Sequence, residues 1–229
     1  GTYLGDGHKI TGLGAWSGGP TNLPEFSNMS KFNVNTPLFG YLSGTVEDLT
    51  LASSSISGGS AALCNNASGA HLKNVVAHDI RLRPNNLEKP AGILAAEAES
   101  TVFEDCRVAD SSVINDQASW LGGAIGKMYS GSVDGLTLSG EITVQGRRAV
   151  GGVIGQILSN KEVSLSRIRM EGTADISQAQ ANHGSGENRG FYNAAGLVAG
   201  LCEVNYPVSL EGIELHGIPA GAGETGAGD

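Results

Sequence analysis

The stretch "TPLFGYLSGTVEDLTLASSSISGG", residues 36–59, sets two apolar bursts, Leu38-Phe39 and residues 46–51, between breaks rich in glycine and serine. One hairpin would show that figure once. Here it returns along the chain. Short bursts that open on a small residue or proline occur at "PLFG" (37–40), "ALCN" (62–65), "GILA" (92–95), "GAIG" (123–126), "GVIG" (152–155) and "GLVA" (196–199). Their last residues are 25, 30, 31, 29 and 44 positions apart.

A second burst follows each, with the form apolar-x-x-apolar-x-apolar. These are "VEDLTL" (46–51), "LKNVVA" (72–77), "FEDCRV" (103–108), "VDGLTL" (133–138), "LSRIRM" (165–170) and "LEGIEL" (210–215). Their starts are spaced by 26, 31, 30, 32 and 45, so two independent anchors keep one irregular beat. A weaker third burst follows in several units, around Ile56, Ile80, Val113, Ile142 with Val144, and Ile176.

All these segments are short and bounded by Gly, Ser, Asn or Asp, and no stretch of ten or more residues has helical periodicity. Units of about 30 residues with two or three short strands predict a parallel β-solenoid, in which each unit buries little alone and stacks on its neighbours. The expected fold is all-β: a right-handed parallel β-helix of about six coils of ~30 residues. Its interior should be lined by the column Val46, Leu72, Phe103, Val133, Leu165 and Leu210, and by Leu49, Val75, Cys106, Leu136, Ile168 and Ile213. Gly40, Gly126 and Gly155 should allow corners or close packing where a Cβ would clash. The expected organisation is a capping segment and loop over 1–35, the solenoid over 36–217 and a soft linker-like tail over 218–229, with flanking domains of a longer parent chain.

Composition agrees. Glycine is 35 of 229 residues, about twice the usual share, and only 16% of residues are charged. Low charge with ordinary hydrophobicity argues against disorder. A net charge of −9 without a basic cluster excludes a nucleic-acid backbone as an expected partner. No apolar stretch approaches the ~20 residues of a membrane helix, so no membrane span is expected in this segment. Three cysteines without metal spacing call for neither a disulfide framework nor a cofactor. Cys64 and Cys106 read as small buried hydrophobes, and Cys202 could be similar.

The opening "GTYLGDGHKITGL" (1–13), followed by "PLFGYLSGTVEDLTL", resembles the GLUG-motif repeat proteins. In these bacterial surface and secreted chains an opening G-T-(F/Y)-x-G-(D/N)-G-H-x-I-x-x-L precedes repeated G-L-(F/V)-G units. The likeness spans roughly residues 1–215; the unit "ALCN" departs from it by lacking both glycines. IgA-specific zinc metalloproteases carry the motif outside their catalytic domain, as do large adhesins. The resemblance implies a right-handed β-helix, a secreted or cell-surface location, and no catalytic site in this region; the H-E-x-x-H helix is absent.

Several residues invite chemistry. Asp6 and His8 in "GDGHKI" suit a metal or acid-base site, or a hydrogen-bonded turn capping the first coil, which is the preferred reading. The outward row Glu47, Lys73, Glu104, Asp134, Ser166 and Glu211 would stack at ~4.8 Å. Lys73 and Ser166 interrupt it, so a solvated face is preferred to a calcium site. Beside it Asp48, Asn74 and Asp105 suit a hydrogen-bonded ladder at a bend, with paired carboxylates as the catalytic alternative.

The segment 178–193 makes the step into the last unit about 14 residues longer. It is polar and carries His183, Glu187, Asn188, Arg189, Phe191 and Tyr192, a set suited to a glycan or protein contact on a displayed loop, or to plain decoration. The expected function is a non-catalytic platform or stalk that meets a host or bacterial surface glycan or protein. A β-helical polysaccharide lyase or hydrolase, and a phage or secretion-system fibre segment, are the alternatives.

Overall fold

A computed structural model of the chain describes residues 1–14, 37–85, 88–178 and 194–216. The described residues contain strands and turns but no helix, and they form four sheets in which every pairing is parallel. The arrangement is compatible with a β-helix or solenoid.

Sheet I comprises Phe39–Leu42, Cys64–Ser68, Ala95–Glu99, Ile125–Met128, Ile154–Ser159 and Ala199–Val204. Sheet II comprises Thr2–Leu4, Thr45–Glu47, His71–Lys73, Thr101–Glu104, Gly131–Asp134, Val163–Ser166 and Val208–Glu211. Sheet III comprises Lys9–Thr11, Thr50–Ser57, Val76–Arg83, Arg107–Ile114, Thr137–Gly146, Arg169–Gln178 and Glu214–His216. Sheet IV is short: Ala91–Gly92, Trp120–Gly122, Ala149–Gly151 and Ala194–Gly196. The chain visits IV, I, II and III in turn and then returns to IV; one such pass is a rung. Parallel neighbours need a long connection, and the visits to the other sheets supply it.

The apolar columns fix this register. Val46 pairs with Leu72, Leu72 with Phe103, Phe103 with Val133, Val133 with Leu165 and Leu165 with Leu210. The first five are buried, whereas Leu210, in the last described strand of its sheet, is 61% exposed. The column through Leu49, Val75, Cys106, Leu136 and Ile168 lies between sheets II and III and is also buried. There each carbonyl from Leu49 to Ile168 accepts the next rung's amide, as in Val76 N to Leu49 O at 2.9 Å and Thr137 N to Cys106 O at 3.0 Å. Sheet III adds Ile56, Leu82, Val113, Val144 and Ile176. Phe103 heads the fully buried side chains by volume, and its rung contributes only Ala95 and Ala98 to the inner columns of sheet I. A large side chain from one wall fills what small ones on another leave.

The glycine-rich bursts form the corner between sheets IV and I, and here the structure corrects the sequence alignment. Phe39, Cys64, Ala95, Ile125, Ile154 and Ala199 share a register column. "GILA" and "GLVA" therefore end one residue early: Ala96 and Gly200, not Ala95 and Ala199, stand level with Gly126 and Gly155. Gly92, Gly122, Gly151 and Gly196 make the companion column. The meaningful spacing is a small residue every fourth position, because each faces backbone. A Cβ on Gly126 would stand 2.5 Å from Ala91 N, and one on Gly155 2.8 Å from Leu121 N. The first three strands of sheet IV thus lie on the next rung's strand of sheet I at a distance only glycine permits, at Gly126, Gly155 and Gly200. Gly40 does not share this role, since a Cβ there meets nothing within 4 Å. Asn65, in the same column, carries a side chain, which accounts for the departure of "ALCN" from the pattern.

Candidate functional site

Ion pairs line sheet III, where Arg169 meets Glu171 and Glu214, and two further surfaces bring polar side chains together. The first is the outer edge of sheet II, where the sequence places a charged row. Glu47, Lys73, Glu104, Asp134, Ser166 and Glu211 do share one register column. Three of its carboxylates, Glu47, Glu104 and Asp134, meet cations or donors. Lys73 Nζ is 3.5 Å from Glu47 and 3.9 Å from Glu104, and His71 Nε2 is 2.8 Å from Glu104. Asp134 Oδ1 accepts from Ser166 Oγ at 2.8 Å and Arg167 Nε at 2.7 Å. Those two hydrogen bonds, Arg167's foremost, hold the Asp134 carboxyl down at about 2, and Asp134 in turn raises the Arg167 guanidinium. Exposed pairs of this kind add little to stability, because solvent screens them. Their effect is to stop stacked carboxylates from repelling. Among the described residues no group of three or more His, Cys, Asp or Glu side chains could hold a metal ion.

The adjacent row explains itself through the backbone. Asp48, Asn74, Asp105, Gly135, Arg167 and Gly212 all have positive φ, between 49° and 77°. A left-handed residue costs about 1–2 kcal/mol for most side chains and least for Gly, Asn and Asp. The two-residue turn between sheets II and III therefore favours Asx or Gly at its first position, as at five of these six rungs. Asn74 Nδ2 donates to Asp48 Oδ1 at 2.6 Å, the expected ladder. Arg167 is the exception, held by its ion pairs to Asp134 and, at 3.2 Å, to Asp105. A second left-handed row, Ser53, Asp79, Asp110, Gly140 and Gly172, kinks every long strand of sheet III. At the kink the amide of Ile80 is taken by Ser111 Oγ at 3.0 Å, and that of Leu13 by Ser54 Oγ at 3.1 Å. That row is invisible in the burst pattern, because the kink leaves the apolar columns intact on either side.

Around "GDGHKI", Asp6 is left-handed, Gly5 N donates to Glu47 O at 2.7 Å, and His8 Nδ1 lies 3.0 Å from Gly5 O. The segment is a turn stacked on the Asp48 turn. Burial raises the Cys64 and Cys106 thiols to about 12, which leaves them protonated and unreactive. Cys202 differs: it is exposed, on the last described strand of sheet I.

The candidate contact residues His183, Glu187, Asn188, Arg189, Phe191 and Tyr192 lie outside the described residues. Their segment joins Gln178, paired with Gly146 in sheet III, to Ala194, paired with Ala149 in sheet IV.

The second surface is the outer face of the sheet I–IV corner. Trp120 opens a sheet IV strand, in a column otherwise of Ala149 and Ala194. Lys127 pairs with Glu97 on one side and Gln156 on the other. Its ammonium sits 4.1 Å from the Trp120 ring centroid and 5.8 Å from that of Tyr129. Burial lowers the Lys127 ammonium while the Glu97 and Glu203 carboxylates oppose the shift. Burial, with Glu97 and Glu99, raises the Tyr129 phenol. Gln156 is 4% exposed, and its Oε1, like Trp120 Nε1, is buried without a hydrogen-bond partner. Reading from bursts alone misses this cluster because its residues are 36 positions apart at the extremes. The available signal is a tryptophan in a column of alanines, legible once the register is known.

Compared with family models, curated proteins and solved structures, the chain matches none.

Proposed function

We propose that this chain is a right-handed parallel β-helix of about six coils of ~30 residues, serving as a non-catalytic binding platform or stalk in a secreted or cell-surface bacterial protein. The resemblance to GLUG-motif repeat proteins supports the setting, and the repeated visit to four parallel sheets supports the fold. Its partner is a host or bacterial surface glycan or protein.

The observation that carries the reading is the state of the outward carboxylates. Asp134, the strongest candidate for acid-base work on the sheet II face, is hydrogen-bonded by Arg167 and Ser166 and kept far too acidic to hold a proton at neutral pH. Glu47 and Glu104 share Lys73. These contacts stiffen the face and tie its carboxylates to neighbouring cations and donors. Among the described residues no helix is long and apolar enough to cross a membrane.

The test is to incubate the purified protein with host and bacterial polysaccharides and to read retention and polymer length together. Retention at unchanged length supports the platform. Shortened polymer overturns it in favour of a β-helical lyase or hydrolase.

A further inference from the structure

We infer that the outer face of sheet III pairs two copies of this chain, stack against stack in opposite directions, through Arg81 and Asp175. The inference goes beyond the platform reading and holds whatever the platform binds.

Alternation along a strand turns every second residue outward. Beyond the left-handed kink of sheet III, register stacks Ser55, Arg81, Ser112, Thr143 and Asp175 in one outward column. Arg83 stands two residues along the same strand as Arg81, paired with Ser57. Charge on this face is divided along the stack. Val76–Arg83 and Arg107–Ile114 carry Arg81, Arg83 and Arg107 with Asp79 and Asp110. The next two strands, Thr137–Gly146 and Arg169–Gln178, carry Glu141, Glu171 and Asp175 with Arg169. Lys73 and Arg167 are matched by carboxylates of their own chain, but the key charges here are not. Among the described residues Arg83, Glu141 and Asp175 make no ion pair, and Arg81, with a side chain 72% exposed, reaches only Asp79 at 3.8 Å. Neighbouring strands lie ~4.8 Å apart, so Arg81 and Asp175, three strands apart, stand about 14 Å from each other in their own chain, too far to pair.

A second copy supplies the match. Arg81 and Asp175 stand symmetrically about the midpoint between Ser112 and Thr143. A two-fold axis running along the strands at that midpoint reverses the stack. It lays Arg81 of each copy on Asp175 of the other, and Ser112 on Thr143. Arg83 then flanks the same carboxylate, and Glu141 comes beside Arg81. Asp110, which meets Glu141 in this arrangement, is already held by His78 at 3.1 Å. An acidic polymer laid along the stack would meet Glu141 and Asp175 after Arg81 and Arg83, and a basic one the reverse. A face whose charge changes sign halfway is complementary to itself turned end for end.

Sedimentation velocity over a concentration series is expected to show monomer and dimer in exchange. Arg81→Glu with Arg83→Glu, and separately Glu141→Arg with Asp175→Arg, should each weaken dimerisation about tenfold or more, because like charges then face each other. Mixed in equal amounts, the two variants should form the dimer that neither forms alone, since each reversed half meets its complement. All four positions are exposed, so both variants should keep the parent's thermal midpoint. A parent that stays monomeric throughout, reversed variants that still dimerise, or a mixture that does not restore the dimer overturns the inference. A monomeric parent that binds polygalacturonate through Arg81 and Arg83 overturns it too, and gives the face to an acidic glycan.

Discussion

Arg167 pairs with Asp105 at 3.2 Å although a whole rung lies between them. That rung contributes Gly135, and a Cβ there would stand 2.3 Å from Asp105 Oδ1 and 3.0 Å from Arg167 Nη2. The missing side chain is the slot through which charge is matched across two rungs.

Gly135→Ala should close the slot and strain a backbone at φ +77°. A loss of about 1–2 kcal/mol is expected in chemical denaturation. Gly40→Ala, where a Cβ meets nothing within 4 Å, should leave the midpoint unchanged.

Asp134 should make stability depend on acid. Its carboxyl is held at about 2 when folded, below the ordinary 3.8, so folding is favoured by the ionised form. The contribution is complete above about pH 4 and disappears as the pH falls through 2. Thermal unfolding of the parent and of Asp134→Asn should differ at pH 6 and converge near pH 2. Curves that stay parallel would place the shift elsewhere.

Phe103→Ala should cost about 3–5 kcal/mol, since Ala95 and Ala98 in the same rung cannot fill the void. Leu210→Ala, in the same register column but 61% exposed, should cost under about 0.5 kcal/mol. Equal losses would contradict the burial gradient along the column.

Gly155→Ala forces a Cβ to within 2.6 Å of Gly126 O and 2.8 Å of the Leu121 backbone. A loss of about 1–3 kcal/mol is expected. Amide exchange should accelerate first in Trp120–Gly122, the strand lying over it.

Thiol titration should find one reactive cysteine in the native protein and three after denaturation. Cys202 is exposed, while Cys64 and Cys106 are buried and held protonated. Fast labelling of Cys106 would mean that its column opens readily.

The interior was legible in the sequence because burial repeats: Val46, Leu72, Phe103, Val133 and Leu165 announce the column by hydrophobicity alone. The left-handed row was half legible, since Asp48, Asn74 and Asp105 carry its Asx mark while Arg167 hides it. The one-residue slip at "GILA" and "GLVA" arose because successive small residues look alike, and only strand register distinguishes Gly122, level with Gly92, from Gly123. The corner cluster was not legible. Lys127 and Gln156 become neighbours through a sheet that no local pattern joins.

The parallel ladder also decides how the chain would answer a pull. Neighbouring strands of a sheet are held rung to rung by hydrogen bonds, so tension drawn from one end of the stack peels strands singly and loads few bonds at a time. Each detached rung releases about 30 residues, or roughly 100 Å of slack when extended. The columns return the strand to register once the load falls. Under stretching, the chain would be a set of length reserves, released rung by rung.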